Sequence, residues 1–247
     1  MKSNAHKGGV NWHSLPSLVA VLVALSVLLP PGELRAASGM APEEMVCDVN
    51  ADYALGIEDY PEAIRLHEKV LRQNPSNALA HYHLGFAYGM SEDRAGELRE
   101  YLRAEQLGLR QWDLFLNLGI VYLENHDTDA AIGALTKAVK LGPRHAEAHF
   151  SLALAYEHAG LLPAARNEIL ASLTLQPNQP EARNTLGVLY AETGDYKSAR
   201  AVWTDLVRAY PAYQPALENL AVLDRAAAGN GSEPRPSRVA ASSHASR

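Results

Sequence analysis

Cysteine is almost missing from this chain, with Cys47 the only one among 247 residues. A single cysteine excludes an internal disulfide and every paired-cysteine metal or redox motif. Positive charge is also scarce, with 22 Lys and Arg against 28 Asp and Glu and a net charge of −6. The ends, with Lys2, Lys7, Arg35, Arg235, Arg238 and Arg247, are more basic than acidic, so the middle is more acidic than the total implies. Such a surface repels phosphate backbones and excludes a nucleic-acid partner. The chain has no nucleophile elbow and no phosphate-binding glycine loop. After residue 29 it has no apolar run long enough to span a bilayer.

The first 38 residues read as an export signal. Lys2 and Lys7 form a positive start, and Leu18 to Leu29 is an unbroken run of apolar or small residues. Pro30-Pro31-Gly32 ends it, and the small residues Ala36, Ala37, Ser38 and Gly39 follow. The run has the length of a signal core rather than of a membrane span. The alternative is an uncleaved anchor, in which case the protein stays on the membrane. The expected location is therefore exported: periplasmic or secreted, or membrane-anchored through this segment. Cys47 is a poor lipid-attachment site, because Glu44-Met45-Val46 precede it and the apolar run is distant. It reads as a buried thiol of the first helix.

Self-comparison reveals the organisation. Leu84-Gly85-x-x-Tyr88, Leu118-Gly119-x-x-Tyr122, Leu152-Ala153-x-x-Tyr156 and Leu186-Gly187-x-x-Tyr190 line up without gaps at a step of 34 residues. Ala63, Ala131, Ala165 and Ala199 share a second register, and Pro75, Pro143, Pro177 and Pro211 a third. Leu and Tyr four residues apart fill one face of a helix. The small residue between them lets a second helix approach. Gly194 suits a tight turn needing positive φ, and Pro ends the second helix because it lacks an amide hydrogen.

On these residues the chain resembles the tetratricopeptide repeat family. The resemblance implies an all-α fold, a right-handed α-solenoid of helix-turn-helix repeats with a C-terminal capping helix. Five repeats are read at 44–77, 78–111, 112–145, 146–179 and 180–213. A capping helix at 214–228 follows, then a disordered Gly, Ser, Pro and Arg tail at 229–247. The first repeat is degenerate, with Asn50 and Ala54 where Leu and Tyr are expected. In the second, Glu97 replaces the small Ala and Leu109 the Pro, so its second helix is expected to shift or to run on into Gly108.

The resemblance also implies a concave groove lined by the first helix of each repeat. At the family's lining positions stand Tyr82, Phe86, Leu116, Asn117, Ile120, Phe150, Leu154, Glu157, Asn184 and Val188. Phe86, Ile120, Leu154 and Val188 share one register and would form an apolar stripe. The rim is acidic, with Asp113, Glu147 and Glu181, and no Lys or Arg stands at the two inner lining positions of any whole repeat. Such a groove suits an apolar or amphipathic segment with basic flanks and disfavours a free carboxylate end. The expected function is a non-catalytic protein-interaction scaffold of the cell envelope. The alternatives are a self-assembling structural protein and a regulatory subunit of an envelope enzyme. No catalytic residues, no cofactor and no metal are expected. His145 and His149 have a metal-like spacing, but Pro143 precedes them and no third ligand is in step. His81 and His83 point to different faces of one helix.

Overall fold

The computed structural model describes residues 47–228, so the signal segment and the C-terminal tail read from the sequence lie outside it. Among the described residues there are eleven helices and no strand. None of these helices is long and apolar enough to cross a membrane. The chain divides into two compact units, with the boundary along the sequence between Arg110 and Gln111.

The first unit holds α1 (Val49–Gly56), α2 (Tyr60–Gln73), α3 (Ala78–Met90) and α4 (Arg94–Gln106). Each packs on the next, and α1 also touches α3. The second holds α5 (Trp112–Glu124), α6 (Thr128–Leu141), α7 (Ala146–His158), α8 (Leu162–Leu175), α9 (Pro180–Glu192), α10 (Tyr196–Ala209) and α11 (Gln214–Ala228). Here too consecutive helices pack, and α5 touches α7. Helices α3, α5, α7, α9 and α11 start 34 residues apart, and so do α2, α4, α6, α8 and α10.

The turns inside the helix pairs share one device. Glu58, Glu92, His126, Gly160 and Gly194 occupy the same repeat position, and all five have positive φ. The next residue is Asp in four of the five. Asp59, Asp93, Asp127 and Asp195 each accept a hydrogen bond from the amide three residues on, capping α2, α4, α6 and α10. Helix α8 starts from Leu161 without a side-chain cap and carries Pro163 in its first turn.

The core is built by pairing small with large inside each repeat. A Cβ on Gly85 would lie 2.7 Å from the ring of Tyr101. A Cβ on Gly119 would collide with Leu135, and one on Gly187 with Trp203. In the fourth repeat Ala153 and Ile169 share one buried cluster. The small residue therefore makes room for one large side chain on the partner helix. Trp203 fills this space completely and donates its indole N–H to the Asn184 carbonyl (3.3 Å).

The second repeat corrects one expectation. Helix α4 starts in step but ends at Gln106 rather than running on, because Gly108 turns the chain at φ 95°. Glu97 is buried without displacing the helix. The space comes from Gly89, where a Cβ would lie 2.5 Å from Glu97 Oε1. Arg94 Nη1 donates to the Glu97 carboxylate (2.8 Å), so the charge is paired.

Repeat boundaries carry a recurrent clamp. His81 donates through Nδ1 to Glu100 (2.6 Å) and through Nε2 to the Pro75 carbonyl (3.1 Å). His149 does the same with Glu168 (2.6 Å) and the Pro143 carbonyl (3.1 Å). At the equivalent place in the fifth repeat, Arg183 Nε donates to the Pro177 carbonyl (3.0 Å). Each clamp ties a first helix to the end of the helix before it.

Candidate functional site

The ten groove residues read from the sequence all lie on first helices, but only half of them keep exposed surface. In the first unit, α3 carries Tyr82 and Phe86. Tyr82 is buried against Tyr101, with ring centroids 5.8 Å apart, and Phe86 is half-buried. In the second unit, α5 carries Leu116, Asn117 and Ile120. Leu116 is buried, Asn117 is half-buried, and Ile120 is 38% exposed. On α7, Phe150 belongs to a core cluster with Ala165, Ile169, Ala182 and Leu186, whereas Leu154 packs at the edge of that cluster and Glu157 is half-buried.

On α9 the reading from sequence is corrected. Val188 is fully buried in a cluster with Trp203, Leu206, Ala216 and Leu223. Asn184 is 1% exposed, and its Oδ1 accepts a hydrogen bond from Asn219 Nδ2 of α11 (3.1 Å). The following helix covers both residues, so neither offers surface to a partner. The proposed apolar stripe therefore stops short of Val188. Within the second unit, Leu116 and Phe150 are buried and offer little surface of their own.

Of the second unit's lining residues, Asn117, Ile120, Leu154 and Glu157 keep exposed surface. Ile120 and Leu154 hold the same register on α5 and α7, which are in contact. Glu147, at the rim, has its pKa raised by burial. The histidine pair of the third boundary is separated by its partners. His145 stacks on Trp112 at 3.7 Å and 10°, while His149 is held in its clamp.

A second constellation, in the first unit, escaped the sequence reading. Cys47, just ahead of α1, meets Asp52 of α1, His67 of α2 and His83 of α3. One ligand-type atom from each lies within 4.8 Å of the other three. Cys47 Sγ is 3.2 Å from Asp52 Oδ1 and 3.4 Å from Nδ1 of both His67 and His83. His83 Nδ1 donates to Asp52 Oδ1 at 2.8 Å. His67 Nε2 lies 3.8 Å from Asp52 Oδ1 and is buried without a hydrogen-bond partner. Burial, reinforced by the nearby charge of Asp52, pushes the Cys47 thiol up. Burial raises Asp52 as well, but the hydrogen bond and charge of His83 outweigh it and hold the carboxyl low. Burial and the nearby His83 press His67 down to about 4.

No regular spacing announces these four residues. One signal was present in the repeat pattern. His67 stands where the other repeats carry Tyr101, Leu135, Ile169 and Trp203, a slot reserved for a large core side chain. A histidine there is a polar group sent into the core, and it needs partners.

Comparison with known proteins agrees with the helix pairing. A tetratricopeptide repeat model matches residues 116–180 and 163–214, and a second TPR repeat model matches residues 50–91. No curated protein sequence gives a significant match. Among solved structures, the chain is similar to YrrB, described as a TPR protein with an unusual peptide-binding site. The TM-score is 0.64 at 24% identity, over 68% of this chain and 87% of that one. It is also similar to MamA, with a TM-score of 0.60 at 23% identity over 64% and 92% of the two chains. For MamA from Desulfovibrio magneticus RS-1 the TM-score is 0.62 at 19% identity, over 70% and 98%. At these identities the likeness speaks for the fold alone.

Proposed function

Because this chain belongs to the tetratricopeptide repeat family, we propose that it is a non-catalytic scaffold that holds an apolar or amphipathic protein segment, acting outside the cytoplasm. The observation that carries the reading is the exposed Ile120 on α5 with Leu154 in the same register on α7. Around them stand the carboxylates of Asp113, Glu147 and Glu157, and no lysine or arginine occupies the inner lining positions. An apolar floor with an acidic rim complements a segment with basic flanks. The peptide-binding description of YrrB is in keeping with this use of the fold. Export rests on the charged start and the apolar run of residues 18–29.

The test places a photo-crosslinking residue at position 120, 154 or 170. Leu170 of α8 is exposed away from the first helices and serves as the control. The same partner should crosslink from 120 and 154, not from 170, and the Ile120→Ala/Leu154→Ala pair should weaken its recovery. Equal crosslinking from position 170 would refute the groove. Fusing residues 1–38 to a phosphatase active only outside the cytoplasm tests export, and an inactive fusion rejects that part.

One observation favours self-assembly as a second reading. Val49 and Tyr53 of α1 and Ile57 just past its end lie four residues apart and are more than half exposed. Light scattering decides, since a chain that stays monomeric over a wide concentration range removes this reading.

A further inference from the structure

We propose that Cys47, Asp52, His67 and His83 form a structural zinc site that fastens α1 to α2 and α3.

The first argument is geometric. A four-coordinate zinc with bonds of ~2.1 Å to N and O and ~2.3 Å to S holds its donors about 3.4–3.7 Å apart. With His67 coordinating through Nε2 and His83 through Nδ1, the Cys47–His83 separation of 3.4 Å and the His67–Asp52 separation of 3.8 Å sit at or near this range, and one ligand-type atom of each residue lies within 4.8 Å of the other three. The His83–Asp52 contact, now a 2.8 Å hydrogen bond, and the 3.2 Å Cys47–Asp52 contact have to open.

The second argument is the state of His67. Its ring is completely buried, Nδ1 faces the thiol, and Nε2 faces the Asp52 carboxylate without a hydrogen-bond partner. A buried ring nitrogen with no partner is costly as a structural filler. As a ligand the same nitrogen is satisfied.

Charge gives the third argument and selects the ion. One thiolate and one carboxylate together cancel a dication, so the filled site carries no net charge into the protein interior. The donor set of one sulfur, two imidazoles and one carboxylate suits zinc. Magnesium and calcium prefer six or more oxygens, and the cluster offers a single carboxylate. A blue-copper centre takes two histidines, a cysteine and a weak axial thioether, and here the fourth group is Asp52. Four protein ligands leave no open position, which marks the site as structural rather than catalytic. Binding releases the thiol proton, and His83 coordinates through Nδ1 as a neutral imidazole that carries its ring proton on Nε2.

The site also accounts for the irregular first repeat. Helix α1 has only eight residues and turns Val49 and Tyr53 outward. It has little apolar surface with which to hold itself to α2 and α3. The metal supplies the tie that the missing Leu and Tyr supply in the other repeats.

The test uses the full chain, stripped with a chelator and titrated with zinc chloride against a chromophoric competitor. One zinc per chain is expected, together with a rise in Tm. Cobalt chloride should give the intense visible bands of a four-coordinate ion and a near-ultraviolet thiolate charge-transfer band. Cys47→Ser is close in size and should keep the helical circular dichroism. It should abolish the charge-transfer band and weaken zinc binding at least ~10-fold. His83→Gln should weaken zinc binding as well. Substoichiometric zinc, a cobalt spectrum lacking the thiolate band, or unaltered zinc binding by Cys47→Ser would each overturn the proposal.

Discussion

Three side chains hold backbone angles that suit glycine better. Glu58, Glu92 and His126 have φ near 60° at the turn position where the last two repeats carry glycine. A left-handed conformation costs a side-chain-bearing residue roughly 1–2 kcal/mol, and glycine loses about 0.5–1 kcal/mol in unfolded-chain entropy. Glu92→Gly and His126→Gly are therefore expected to stabilise by about 0.5–1 kcal/mol each, read from urea midpoints. Gly194→Ala should do the reverse. Glu147 behaves differently, because burial of its carboxyl raises its pKa. The folded state then holds the proton more tightly than the unfolded state does. Its contribution is complete below the unfolded pKa and is lost as pH rises through the higher folded one. Glu147→Gln should raise Tm at pH 7 more than at pH 4, and a gain that does not depend on pH refutes this reading of Glu147.

Among helices, the informative contacts cross repeat boundaries. His149 of α7 joins Glu168 of α8 to the carbonyl at the end of α6. Replacing it with Phe removes two hydrogen bonds, one of them to a carboxylate, and is expected to cost about 1–3 kcal/mol. A denaturation series comparing His149→Phe, Glu168→Gln and the double variant checks this, and additive losses would show that the two groups do not act together. The 34-residue step, the paired helices and the turn at Gly194 were legible in the sequence because each depends on residues inside one repeat. The burial of Asn184 and Val188 was not, because α11 covers them, and one repeat's pattern holds no record of what the next lays over it. The end of α4 was misread for a related reason. Leu109 in place of Pro suggested continuation, but Gly108 had already turned the chain.

For the whole chain, stability in a repeat protein is the sum of units and their nearest neighbours. A zinc tie at Cys47, Asp52, His67 and His83 should therefore protect its own neighbourhood and little else. Removing zinc with a chelator is expected to speed amide exchange in α1, α2 and α3 while leaving α7 to α11 unaltered. Hydrogen exchange followed by mass spectrometry measures this directly, and uniform acceleration would mean the chain opens as one body. The first repeat was half-legible because its metal-ligand chemistry replaces the apolar pattern on which repeat recognition relies.

The small-and-large pairs of the core bear on how such a chain changes length. Gly85 with Tyr101, Gly119 with Leu135 and Gly187 with Trp203 each lie inside a single repeat. A gene duplication or deletion of one whole repeat carries both members of a pair together. The clamps travel as easily, since the distant acceptor is a main-chain oxygen that any repeat ending provides. Internal repeats are thus portable cassettes. The cluster around Cys47 draws on two consecutive repeats, so the start of the solenoid is the part that recombination cannot shuffle.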